Sequence, residues 1–130
     1  MGYNTDFTGQ LRLSKQLPFE KAFEINEYLE RDHQGEDLSQ LGICTRWCDW
    51  RLQLDDPLGS QYFYWNGSEK SYDMFEWMQF IYERFLKPEG ITLSGLVEAV
   101  GEDPTDRWAI AFDEANEQVK RFRGSITYGD

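Results

Sequence analysis

Between Ser71 and Leu86 the apolar residues Met74, Trp77, Met78, Ile81, Tyr82 and Phe85 recur at three- and four-residue spacing. That period lays one wide apolar stripe along an α-helix. Phe75, Phe80 and Leu86 flank the stripe, so the helix is apolar over much of its circumference. Ser71 is the expected N-cap, Asp73 falls in the first turn, and Pro88 with Gly90 ends the helix. Burying six such side chains is worth on the order of 10–15 kcal/mol gross, before conformational entropy is set against it. The stripe reads as the lid of a sheet, in contact with a second helix as well.

That second helix is expected from Pro18 to Arg31, with proline and Glu20 in its first turn and Gly35 as its stop. Phe19, Ala22, Phe23, Ile25 and Leu29 form its apolar face. Elsewhere the period is two. Phe7, Gly9, Leu11 and Leu13 alternate with polar neighbours, which predicts a half-buried strand. From Arg46 onward Cys48, Trp50, Leu52 and Leu54 take one face, and Trp47, Asp49, Arg51 and Gln53 the other. The turn sequence Asp55 to Ser60 then leads into Gln61–Trp65, predicting an antiparallel hairpin. Ile91–Ala99, Arg107–Asp113 and Gln118–Phe122 alternate in turn, with a last extended piece around Ile126 and Tyr128. Glu36–Thr45 offers either a short helical turn around Leu38–Leu41 or nothing regular. Short turns between the late strands force antiparallel pairing. The fold class is therefore α+β: one domain, 1–130, with five to six mainly antiparallel strands and helices at about 18–31 and 71–86 on one face.

Composition narrows the partners. The 130 residues carry a net charge of −11 with one histidine, and 21 of them are aromatic. An acidic surface repels phosphate backbones, so direct nucleic-acid binding is disfavoured and a basic protein partner is favoured. Lys120-Arg121-Phe122-Arg123 is the one basic run of note. No apolar window approaches the length needed to span a membrane. With no basic segment leading into an apolar run at the N-terminus, the expected compartment is the cytoplasm, with free thiols.

No nucleophile elbow, phosphate loop or dinucleotide fingerprint occurs, so the chain leans away from enzymes and no cofactor is expected. Cys44, Cys48 and His33 are too few for a zinc site, and no metal is expected. On one extended strand the two cysteines would lie about 13 Å apart, beyond disulfide reach. His33 reads as a surface residue beyond a helix end. Asp55-Asp56 and Glu102-Asp103-Asp106 fall in proline-containing turns, where aspartate is favoured for local hydrogen bonds. If both helices cover one sheet face, Trp47, Tyr62 and Tyr64 share the open one. With Asp49, Asp55 and Asp56 they form the candidate protein-contact surface, unless a second layer or a homodimer covers it.

Several segments recur together in a known family: Gly2-Tyr3-Asn4-Thr5-Asp6-Phe7-Thr8-Gly9, Trp47-Cys48-Asp49-Trp50, Trp65 to Tyr72, Glu76-Trp77, Phe85-Leu86-Lys87-Pro88, and Gly101-Glu102-Asp103 with Asp106. On these, the chain resembles small uncharacterised proteins of bacteriophages, prophages and bacteria, from Gly2 to about Tyr128. Its segment around His33–Cys44 is shorter than in many relatives. The resemblance implies a phage-related cytoplasmic accessory protein, with no activity or site to carry over. Three functions stay open: a binding protein that contacts and inhibits a host defence or nucleic-acid-handling protein, a small ligand-binding or enzymatic domain with a carboxylate and aromatic pocket, and a homo-oligomeric structural component.

Overall fold

The computed structural model describes residues 3–54 and 61–123. Six antiparallel strands form one sheet: β1 (Thr5–Leu13), β2 (Trp50–Gln53), β3 (Tyr62–Trp65), β4 (Leu93–Gly101), β5 (Arg107–Asp113) and β6 (Gln118–Arg123). Their spatial order is β2-β3-β1-β4-β5-β6. With helices α1 (Phe19–Glu30) and α2 (Met74–Ile81), this is an α+β fold. The expected pieces around Asp55-Asp56 and Ile126–Tyr128 lie outside the described residues. No helix among the described residues is long and apolar enough to cross a membrane.

The centre of the sheet is the β1–β4 pair, in register from Thr5 opposite Gly101 to Leu13 opposite Leu93. Two glycines shape it. Gly9 and Gly95 take φ of +105° and +106°, and a Cβ on Gly95 would stand 2.5 Å from the Gln10 carbonyl oxygen. One on Gly9 would collide with the Leu96 carbonyl oxygen. Only glycine tolerates both the backbone angle and the approach.

The helix over residues 74–89 departs from ideal geometry part-way. After α2 the chain makes a π turn over Tyr82–Leu86 and a 3-10 turn over Lys87–Glu89. A π turn adds a residue to its loop of chain and so rotates the following side chains. The expected burial of Phe85 with Leu86 at its flank is thereby reversed: Leu86 is fully buried and Phe85 half-buried. Met74, Trp77, Met78, Ile81 and Tyr82 are buried as the stripe predicts. Contact with α1 is aromatic, through Tyr28 to Phe80 and Phe85 at 6.0 and 5.5 Å between ring centroids.

The start of α2 also differs. Ser71 is not its cap: its hydroxyl accepts from Trp65 Nε1 at 2.8 Å and donates to the Ser68 carbonyl. Asp73 is the cap residue, in the left-handed region at φ +62° with no side-chain bond into the helix. Its carboxylate instead accepts the backbone N–H groups of Cys44 and Thr45 at 2.8 and 3.1 Å. Likewise α1 ends at Glu30, where Arg31 turns extended, and Gly35 lies in the loop beyond. The helical turn foreseen near Leu38–Leu41 is a 3-10 turn over Ser39–Leu41.

Two side-chain amides anchor α1 and its approach. Asn26 donates to the Leu52 carbonyl at 2.8 Å and accepts the Leu52 N–H at 3.0 Å. It therefore imitates a neighbouring strand along the edge of β2, which blunts that edge. The buried Gln61 makes the same two-point bond to Leu17, at 2.7 and 3.1 Å. Trp77 is fully enclosed, with its indole N–H on Thr45 Oγ1 at 2.9 Å. Trp77→Ala is expected to cost about 3–5 kcal/mol, read as a lower midpoint in denaturant unfolding. A midpoint equal to that of the unsubstituted chain would make α2 peripheral.

Candidate functional site

The loop from Arg31 to Asp49 is held at several points. The His33 N–H donates to the Arg46 carbonyl at 2.8 Å, and Arg46 Nε donates to Asp32 at 3.0 Å. That bond and the guanidinium charge hold the Asp32 carboxyl below its ordinary range. His33 is not at the surface. It is 2% exposed, its ring set against Tyr28 and Trp77 at 4.7 and 4.9 Å. Its Nδ1 lies 3.1 Å from Glu36 Oε2, and its buried Nε2 has no hydrogen-bond partner among the described residues. Burial alone would raise the Glu36 carboxyl, but bonds from Tyr28 and His33 hold it below its ordinary value. Burial and the Glu36 bond in turn push the Tyr28 phenol up to about 12.

These fastenings consume the backbone ahead of β2, so the strand begins at Trp50 and not at Arg46. Trp47 therefore stands outside the sheet, 48% exposed, with the Arg46 guanidinium 5.5 Å from its ring centre. It borders a cleft of about 530 Å³ with Arg46, Asp49, Arg51, Asn66 and Lys70. Arg51 Nη1 donates to the Cys48 and Trp50 carbonyls at 2.8 and 2.7 Å. Asp49 is engaged with Asn66 Nδ2 at 3.2 Å. Tyr62 and Tyr64 lie on the open sheet face, 6.1 Å apart, with Arg12 over the Tyr62 ring. Among the described residues no ring contact joins Trp47 to either tyrosine. The expected platform thus divides into a tyrosine pair and a separate tryptophan cleft, while Asp55 and Asp56 lie outside the described residues.

The acidic turn at the far end of β4 is structural. Asn4 N–H donates to Glu102 at 2.7 Å, Tyr3 hydroxyl to Asp106 at 3.0 Å, and Thr105 N–H to Asp103 at 3.0 Å. No group of three or more metal-capable side chains gathers among the described residues.

A second surface escaped the sequence reading. Phe19 and Phe23, assigned to the core face of α1, are 59% and 46% exposed. The buried residues of the helix are Ala22, Ile25 and Leu29. The error lies in stripe width: at 100° per residue the three buried positions span about 60° of arc, and Phe19 falls outside it. The two rings stack at 6.0 Å and 27°. Beside them Glu20, Glu24, Glu27 and Glu30 are all exposed. Their +4, +3, +3 spacing was a legible signal of a one-sided acidic row.

Compared with family models, curated proteins and solved structures, the chain matches none.

The cysteines make a direct test of the loop's burial. Cys44 is exposed, whereas Cys48 is enclosed and its thiol is pushed up to about 12 by that burial. Alkylation of the native protein near pH 8 is expected to modify Cys44 alone, with Cys48 reacting only on unfolding. Equal modification of both would show the segment ahead of β2 to be open.

Proposed function

We propose that this chain is a small acidic binding protein, of the phage- and prophage-associated kind it resembles, that acts by contact with a basic partner protein. The observation that carries the reading is the carboxylate row on α1. Glu20 and Glu30, the ends of the row, are ten residue steps apart, about 15 Å of helix. Each neighbour in the row is three or four residues from the next, where like charges repel by roughly 0.2–0.5 kcal/mol per pair. The last turn of α1 holds no basic residue, so Glu27 and Glu30 also oppose the helix dipole. Of these four glutamates only Glu30 has an ion-pair partner among the described residues, Arg51 at 3.8 Å. A row that costs its own helix stability makes physical sense when a partner's cations complete it. In the sharpest form of the proposal, the row occupies a basic groove used for nucleic acid in a host defence or nucleic-acid-handling protein.

The alternative of a small ligand-binding domain draws on the cleft beside Trp47, which offers an indole face and fixed polar groups. Quenching of Trp47 fluorescence by a panel of nucleotides and sugars, lost in Trp47→Phe, would favour it.

For the contact reading, partner recovery from host lysate should fall about tenfold between 50 and 300 mM salt. Replacing all four glutamates by glutamine should abolish recovery, and recovery undiminished by that change would refute the proposal. Glu27→Lys provides an independent arm. It should raise stability by about 0.5 kcal/mol while weakening the partner.

A further inference from the structure

We infer that the Phe19–Phe23 stack is the apolar anchor of this contact surface, and that α1 docks alongside a basic amphipathic helix of its partner. The inference rests on the reading of α1 as the site of contact with a basic partner, but a different observation carries it. Two phenylalanines one turn apart, ring centroids 6.0 Å from each other, stand roughly half in solvent beside the buried face of their helix. Together they expose on the order of 200 Å² of apolar surface. That is too little for an obligate interface and of the size expected for a hot-spot anchor.

The geometry selects a helix. Phe19 and Phe23 begin a line along α1 that continues through Asn26 and Glu30 within about 60° of arc. Glu30 lies 3.8 Å from Arg51 of β2. The free apolar part of this seam is therefore the single turn that carries the two phenylalanines, at the i, i+4 spacing of a helix–helix contact. Asn26 in that seam is already spent on the β2 edge through Leu52, and so adds rigidity and not affinity. Glu20, Glu24 and Glu27 border the seam on its outer side, where cations spaced every three or four residues on a partner helix would meet them.

Charge opposes several other occupants. A second copy docked through its own α1 would set two carboxylate rows against each other, and nucleic acid or an anionic bilayer would meet the same repulsion. What remains is apolar at the seam and cationic beside it.

The test uses the intact chain and a synthetic 18-residue peptide with leucine at i, i+3, i+4 and i+7 and lysine elsewhere. A control peptide of equal charge has each leucine replaced by serine. Binding is read by fluorescence anisotropy at 50, 150 and 300 mM salt. The leucine peptide should bind the unsubstituted chain at least tenfold more tightly than the serine peptide. Phe23→Ala should lose about tenfold for the leucine peptide with its salt dependence unchanged, and Phe23→Leu should restore most of it. Both variants are exposed-site changes whose folding is checked by circular dichroism. A spin label on the peptide should broaden the Phe19 and Phe23 ring resonances of the unsubstituted chain, so the proposal stays testable if a variant misfolds. Equal binding of both peptides, indifference to Phe23→Ala, or broadening confined to the open sheet face would overturn the anchor and leave the basic-partner reading standing. Salt-independent binding, or binding unchanged when the four glutamates become glutamine, would instead overturn the basic-partner reading. Failure of the leucine peptide to bind at 50 mM salt overturns the anchor.

Discussion

A helix that is apolar on most of its surface can be buried only if the polar atoms carried in with it find partners. Here the constraint falls on two indole N–H groups. Trp50, on the sheet, donates to the Met74 carbonyl at the start of α2 at 2.8 Å. Trp77, one turn on, donates to Thr45 at 2.9 Å. An unsatisfied buried donor costs about 1–3 kcal/mol, comparable to the gain from burying a large side chain, so these bonds fix the position of α2 and not merely its presence. The Thr45 bond also ties α2 to the loop ahead of β2. Asp73 reinforces the tie from the other side by accepting the Cys44 and Thr45 N–H groups, at the expense of a left-handed backbone in a non-glycine residue.

Placement of α2 and its loop decides what α1 can expose. Asn26 grips the β2 edge through Leu52, and Gln61 grips the entry to the helix through Leu17. With both ends of that attachment fixed, α1 cannot roll to hide Phe19 and Phe23 without surrendering two-point amide bonds to backbone groups. Exposure of the phenylalanine pair is thus a consequence of how the sheet edge is protected.

Strong periodicity was legible in the chain. The strand alternation in Phe7–Leu13 and Arg107–Asp113 and the stripe of α2 appear in the fold as their spacing predicts. What failed depended on tertiary partners. The π turn at Tyr82–Leu86 shifts the phase of the stripe, and no local pattern announces it. His33 lies in a polar stretch and is buried only because Tyr28 and Trp77 close over it. Trp47 alternated correctly for a strand, but the Arg46–Asp32 bond and the His33 N–H draw its neighbours out of the ladder. Strand order, with β1 between β3 and β4, is equally invisible to a local reading. On the candidate surface, the glutamate spacing could be read and the phenylalanines were misread, because their hydrophobicity argued for the core.

Several local rules are broken together on α1. Some charges off this helix are paired, as Lys120 with Asp113 at 3.3 Å and Arg46 Nε with Asp32 at 3.0 Å. The outer face of α1 combines like charges at repelling spacing, acids against the helix dipole, and an aromatic pair in water. Each departure alone is small, a few tenths of a kcal/mol for each charge pair, and any one could be accidental. Attachment to the sheet edge accounts for the exposed phenylalanines, but not for the charge pattern beside them, and it is their coincidence on one short helix that motivates the proposed contact surface.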